Sequence, residues 1–175
     1  SYWLTVSEDE EFLFLNVSER SKKGSRLLYK RAGSAGTDFI PVTDDKFEFF
    51  TYYIQNIGNE IYLFTNENAP NGKIVKFDAL GNPAEHTPVL PEGEYPLTHA
   101  GISCGRIVAG YMVDVIDRIK VYNLTGQFLH EVTLPGIGSV TGFWFRKYDE
   151  NFTFYTFESI TSPPEIYIYD TDKNT

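Results

Sequence analysis

The chain has 175 residues, a formal charge of −9, and fourteen Phe, twelve Tyr and two Trp; it is long enough for one sizeable core, too acidic for the clustered Lys and Arg of a nucleic-acid footprint, and too aromatic for disorder. The single cysteine, Cys104, excludes an internal disulfide. No apolar run approaches the roughly 18 residues of a membrane span, and SYWLTVSEDEEF lacks the charged-then-apolar order of a signal peptide, so the expectation is a soluble chain, cytoplasmic or periplasmic, with the compartment undecided.

In chain order, Tyr2–Val6 reads as a short strand and Glu8-Asp9-Glu10 as a polar turn. Glu11–Leu15 and Leu27–Tyr29 form a hairpin around the loop Ser18–Ser25, because β-branched and aromatic residues fit a pleated, half-buried surface. The Gly- and Ser-containing stretch Ala32–Thr37 is a flexible connection. Asp38–Val42 follows as an outer strand, where Pro41 is tolerated because an edge needs fewer donors. Phe47–Gln55 is a strongly apolar strand, and Asn56-Ile57-Gly58-Asn59 the turn after it. Glu60–Phe64 and Ile74–Asp78 form the second hairpin around Thr65–Gly72, with Thr87–Leu90 outside. Tyr95–Ser103, Arg106–Tyr111, Ile119–Asn123 and Gln127–Leu134 repeat the order, the hairpin turning near Asp114–Asp117. Ser139–Phe145 opens a fourth unit. Its hairpin is the stretch Asn151–Asp170, with both faces of the first strand buried or half-buried, a Ser- and Pro-containing turn, and then Ile166–Tyr169.

The second-strand aromatics Tyr29, Phe77, Tyr122 and Tyr169 recur at intervals of 48, 45 and 47 residues. Short strands repeating at that length fall between the roughly 40–45 and roughly 50 residues of two propeller repeat classes. The fold expected is therefore all-β: a β-propeller of about four consecutive four-stranded blades, at approximately 1–45, 46–92, 93–136 and 137–175, the last lacking its outer strand. Such a set leaves the first and last blades with apolar faces toward water. The chain thus reads as part of something longer, able to self-associate through open blade faces.

Few residues carry a chemical signal. Gly101-Ile102-Ser103-Cys104-Gly105 satisfies G-x-S-x-G, and Asp114 or Asp117 and then His130 follow in hydrolase order. That elbow requires a strand-to-helix turn, however, whereas Gly105 is followed by the apolar strand Arg106–Tyr111, so two strands joined by Cys104-Gly105 explain it better. His86, His99 and His130 have no zinc-ligand spacing. Gly136, Gly138 and Gly142 miss the dinucleotide fingerprint by one residue and precede no helix. Asp9, Glu10, Glu11, Asp44, Asp45, Asp149 and Glu150 read as solvated carboxylates in blade turns, and the cluster Arg20, Lys22, Lys23, Arg26, Lys30 and Arg31 as a solvated loop and charged edge strand. The sequons at Asn16, Asn123 and Asn151 lie in or beside strands. No catalytic, metal-binding or cofactor-binding residue is expected, and no cofactor.

Several spaced residues resemble one family. Tyr155, Phe157, Ser159, Ser162, Pro163, Ile166, Tyr167 and Asp170 resemble a segment of the prolyl oligopeptidase propeller with an F-T-S triplet, a Ser-Pro, then I-Y and Asp. Leu134, Gly138-Ser139-Val140 and Gly142 are similar to the Gly-Ser-Val-x-Gly preceding it. Thr65-Asn66, Pro70-Asn71 and Asp78, with Arg26-Leu27-x-Tyr29, fit further upstream, while Glu158 and Pro164 depart from the usual Thr and Gly. The resemblance implies part of a seven-bladed propeller that caps an α/β-hydrolase peptidase domain of the same parent chain, a serine peptidase cleaving short proline-containing peptides. The catalytic triad of such an enzyme lies outside these residues, and the cap screens substrates by size. The alternatives are a non-enzymatic propeller binding a protein or peptide, and a propeller enzyme acting on sugars through channel carboxylates. No nucleic acid or membrane partner is expected.

Overall fold

A computed structural model describes residues 1–36, 38–145, 147 and 149–175, and among them every regular element longer than a turn is a β-strand. Among the described residues fifteen strands form four antiparallel sheets. The first contains β1 (Tyr2–Val6), β2 (Phe12–Ser18), β3 (Ser25–Arg31) and β4 (Ile40–Pro41). The second contains β5 (Thr51–Ile57), β6 (Glu60–Thr65), β7 (Lys73–Asp78) and β8 (Thr87–Leu90). β9 (Leu97–Ser103), β10 (Arg106–Val113), β11 (Ile116–Asn123) and β12 (Phe128–Val132) form the third. The fourth has three strands, β13 (Ser139–Trp144), β14 (Phe152–Ser159) and β15 (Ser162–Asp170). In every sheet the strands lie in sequence order, the up-and-down meander of a propeller blade.

The chain divides into two compact units, Ser1–Glu92 and Gly93–Thr175. In the first, one face of the first sheet presents Phe12, Phe14, Leu27 and Tyr29 to Ile61, Leu63, Val75 and Phe77 of the second, and all eight side chains are buried. Tyr53 stacks on Phe14 with ring centroids 4.0 Å apart, a pairing worth about 0.5–1.5 kcal/mol beyond the area it buries. In the second unit Val108, Ile119, Val121 and Val132 of the third sheet pack on Val140, Tyr155, Phe157 and Tyr169 of the fourth. Register carries a ladder of rings across this last sheet. Phe143 lies opposite Tyr155 and Tyr155 opposite Tyr167, stacked at 5.9 and 5.4 Å. Within each unit the first strand of the later sheet approaches the third strand of the earlier one, β5 to β3 and β13 to β11.

Five expectations need correction. Phe47–Phe50 does not belong to β5: the carbonyls of Phe47 and Phe49 accept from the N–H groups of Gly24 and Ser25 at 2.8 and 2.9 Å, so this segment is laid against the first sheet. Phe47 there takes a left-handed φ of 57°, and a Cβ on Gly24 would stand 2.3 Å from the Phe49 carbonyl oxygen. The outer strand β4 is only two residues long, since Pro41 offers no donor, although Val42 N–H still reaches the Leu27 carbonyl at 2.9 Å. Thr37 of the connection before it lies outside the described residues. The Ser-Pro stretch is strand: β15 begins at Ser162, opposite Ser159, and the turn is Ile160-Thr161.

The fourth correction concerns the repeat marker. Tyr29 and Phe77 meet edge to face at 5.2 Å across the interface between their sheets, so the two rings sit on opposing faces and are not equivalent positions. On β11 the neighbouring Val121 joins the core of its unit, and Tyr122 points away from it. In β14 only Thr153, Tyr155 and Phe157 form a buried face; Phe154 and Thr156 are half-buried and Phe152 is exposed.

Candidate functional site

The nucleophile-like pentapeptide folds as a hairpin. Ser103 ends β9 opposite Arg106, and the two turn residues, Cys104 and Gly105, take left-handed φ values of 50° and 62°. The Ser103 side chain is fully buried; its hydroxyl donates to the Glu150 carbonyl at 2.8 Å and accepts from Thr171 Oγ1 at 2.9 Å. This hydroxyl is held between a backbone carbonyl and a threonine hydroxyl, with no base bonded to it among the described residues. Asp117 accepts from the Val140 N–H at 2.7 Å, pinning β11 to β13, and His130 bonds the Tyr169 hydroxyl at 2.7 Å. The three residues that the motif would unite therefore serve three separate contacts.

The other titratable groups are also structural. Burial pushes all three histidines below their ordinary value. For His86 a contact with the Pro83 carbonyl partly opposes the shift, and for His99 the Asp117 carboxylate does so; for His130 the Arg106 charge adds to it. Among the described residues no three His, Cys, Asp or Glu side chains converge as a metal site. No described helix is long and apolar enough to cross a membrane.

Two groups expected to be free in solvent are instead ties between the first two sheets. Asp9 accepts from the Ser7 hydroxyl at 2.6 Å, the Glu11 N–H at 3.1 Å and, across the interface, the Asn56 amide at 2.6 Å. Asn56 Oδ1 in turn accepts from the Tyr53 hydroxyl at 2.7 Å. Arg31 reaches Glu11 at 3.2 Å and Asn59 of the second sheet at 2.7 Å, its guanidinium 4.8 Å from the Phe12 ring centroid. Nor is β3 an edge strand, since β4 pairs beside it.

Between the same two sheets lies an open groove of roughly 400 Å³, lined by Trp3, Thr5, Phe14, Asn16, Ser25, Leu27, Phe50, Tyr52 and Tyr53. Its base is fixed: Asn16 Nδ2 donates to the Thr51 carbonyl at 2.8 Å, and the Ser25 hydroxyl to the same oxygen at 3.3 Å. The Asn16 sequon amide is thus engaged in the fold. Sequence reading missed this groove, because Trp3 signals only a strand residue until the partner sheet is in place.

Two broad faces carry large apolar side chains outward. Tyr2, Leu4 and Val6 of β1 are exposed on the face of the first sheet turned from the second, and Trp144, Ile166 and Ile168 on the face of the fourth turned from the third. Each strip would be a liability on a soluble surface.

Residues 1–175 match the family model for the prolyl oligopeptidase N-terminal β-propeller domain. The chain is 32% identical over 167 residues to a prolyl endopeptidase of Elizabethkingia meningoseptica, covering 94% of this chain and 23% of that protein. It is 29% identical over 177 residues to a dual-function macrocyclase-peptidase of Amanita bisporigera, covering 97% and 24%. A solved prolyl endopeptidase structure superposes on 99% of the chain, and 25% of its own, with a TM-score of 0.90 at 23% identity. The ligand-free structure of prolyl oligopeptidase B from Galerina marginata gives 0.85 at 24%, over 98% and 25%. At those identities the structural likeness speaks for fold alone. The chain spans about a quarter of the length of these relatives.

Proposed function

The chain belongs to the prolyl oligopeptidase N-terminal β-propeller family, and from that premise we propose that it forms part of the cap over the catalytic cavity of a serine peptidase that cleaves short peptides after proline. These 175 residues are propeller sequence and contain no catalytic domain. The match of the whole chain to the propeller carries this reading. Support comes from the two outward apolar faces, which further blades of the same parent would cover, as a seven-bladed ring requires. The cap's part in the reaction is steric: it admits short peptides, excludes folded proteins, and lines the cavity without a bond-breaking group of its own.

The test uses the full-length protein carrying this segment and a chromogenic Gly-Pro peptide. Cleavage that a serine-directed inhibitor abolishes is the expected result. A full-length protein that binds proline peptides without cleaving them would replace this reading with a non-enzymatic binding module. Taken out of its parent, the segment is expected to self-associate through the open faces; a monodisperse monomer at high concentration by light scattering would count against that.

A further inference from the structure

We propose that the groove between the first two sheets binds an uncharged, proline-containing peptide segment in extended conformation, an inference that rests on the peptidase reading above for its class of ligand. The groove is distinct from the outward apolar faces. Register places Trp3 opposite Asn16 and Thr5 opposite Phe14, so Trp3 and Thr5 share the face of Phe14, the face turned toward the second sheet. Tyr2, Leu4 and Val6 stand on the opposite side of β1, so a blade packed on that side would not fill this cleft.

Its chemistry selects the occupant. On that shared face Phe12 and Phe14 are only 1% exposed, yet Trp3 is 73% exposed, and Phe50 on the opposite wall is 50% exposed. Phe14 and Tyr53, stacked face to face, form the floor between them. Flat rings lining a shallow groove are the recognition surface for polyproline-like segments, whose pyrrolidine rings pack on aromatic faces and whose stiff backbone loses little freedom on binding. All nine lining residues are uncharged in a chain of net charge −9, which disfavours an ionic ligand. Hydrogen-bonding groups are also at hand. The Thr5 and Tyr52 hydroxyls have no hydrogen-bond partner among the described residues, and the Trp3 indole N–H has none either; such donors suit the bare carbonyls of a peptide that makes no internal bonds. A volume of roughly 400 Å³ lies within the range of ligand-holding clefts.

This places a holding site for peptide on the cap itself. The full-length protein, its catalytic serine blocked by a covalent serine-directed inhibitor, is titrated calorimetrically with an acetylated, amidated proline-rich hexapeptide and with a Gly/Ser hexapeptide as control. The proline peptide is expected to bind, with its Kd raised at least tenfold by Trp3→Ala and by Phe50→Ala, and the control to bind at least tenfold more weakly. Equal affinity in wild type and both variants, equal affinity for the two peptides, or no heat with either would overturn the proposal. If unblocked enzyme still cleaves the Gly-Pro substrate in those cases, the groove has failed and the peptidase reading stands. Loss of both shows that the peptidase reading itself is wrong.

Discussion

Asp9 Oδ2 accepts a 2.6 Å hydrogen bond from the Asn56 amide, so the turn between β1 and β2 is tied directly to β5 of the next sheet. Burial alone would raise the Asp9 carboxyl. Hydrogen bonds from the Ser7 hydroxyl, the Glu11 N–H and the Asn56 amide outweigh it and hold the group below the ordinary carboxylate range. Tyr53, on the same network through Asn56, is also the ring that closes over Phe14. Polar and aromatic contacts between the two sheets are thus joined at one place.

The sign of the pH dependence follows from that depression. A carboxyl whose folded pKa is lowered stabilises the fold above its unfolded value of about 3.8, and the stabilisation is lost as pH falls through the folded one. Asp9→Asn is expected to destabilise at pH 7 by about 1 kcal/mol, discounted for the solvent exposure of the site, and to flatten the acid limb of the profile. Urea midpoints at pH 7 and pH 3 read both effects; parallel profiles for the two proteins would contradict the argument.

The histidines act in a higher window. His86, His99 and His130 are each pushed below 6.5, so the unfolded chain takes up protons first. Stability is full above about 6.5 and lost as pH falls through the folded values. The melting temperature should drop by roughly a few degrees between pH 7.5 and 5.5, and His86→Gln with His99→Gln should shrink that drop.

Phe14 is almost completely buried and touches Tyr53, Tyr29 and Phe12. Phe14→Ala is expected to lose about 3–5 kcal/mol through transfer and cavity terms, measured by denaturant unfolding. A loss below about 1 kcal/mol would mean that the interface repacks around the gap.

Gly24 tests steric closeness in place of cavity formation. Because an added Cβ would meet the backbone of Phe49, Gly24→Ala should cost about 1–3 kcal/mol. Gly136, with nothing within 4 Å of such a Cβ, supplies the comparison: Gly136→Ala should shift the same unfolding midpoint far less.

Val115 occupies the turn between β10 and β11 with φ of 65° and is 85% exposed. A β-branched residue is poorly suited to that conformation. Val115→Gly should raise stability by roughly 0.5–1 kcal/mol, the relief of strain exceeding the added freedom of the unfolded chain. Differential scanning calorimetry would show the gain, and a lowered transition would refute it.

What could be read from the sequence was local. Tyr2–Val6 and Thr87–Leu90 begin and end where alternation of side chains and flanking turn residues place them. Phe47–Phe50 misled because an apolar run carries no mark of which sheet its backbone will bond, and here Gly24 and Ser25 take it. Tyr29 and Phe77 looked like repeats because a two-residue period does not say which face of a blade meets the next. The motif residues gained physical reasons only with coordinates. Gly138 belongs where a Cβ would stand 2.2 Å from the Glu158 carbonyl oxygen, and Tyr155 and Tyr167 are two rungs of the ring ladder of the last sheet. Asp9 and Trp3 were unreadable for the same cause: their partners are supplied by another blade.

β15 opens with Ser162-Pro163-Pro164. Neither proline has an amide hydrogen to offer, so an incoming strand from a stray chain finds no continuous row of donors along the first third of this border. In the segment taken out of its parent, edge-to-edge growth along this border is left to Glu165–Tyr169, where Ile166 and Ile168 are exposed and beyond which the Asp170 N–H is already bonded to the Thr175 carbonyl.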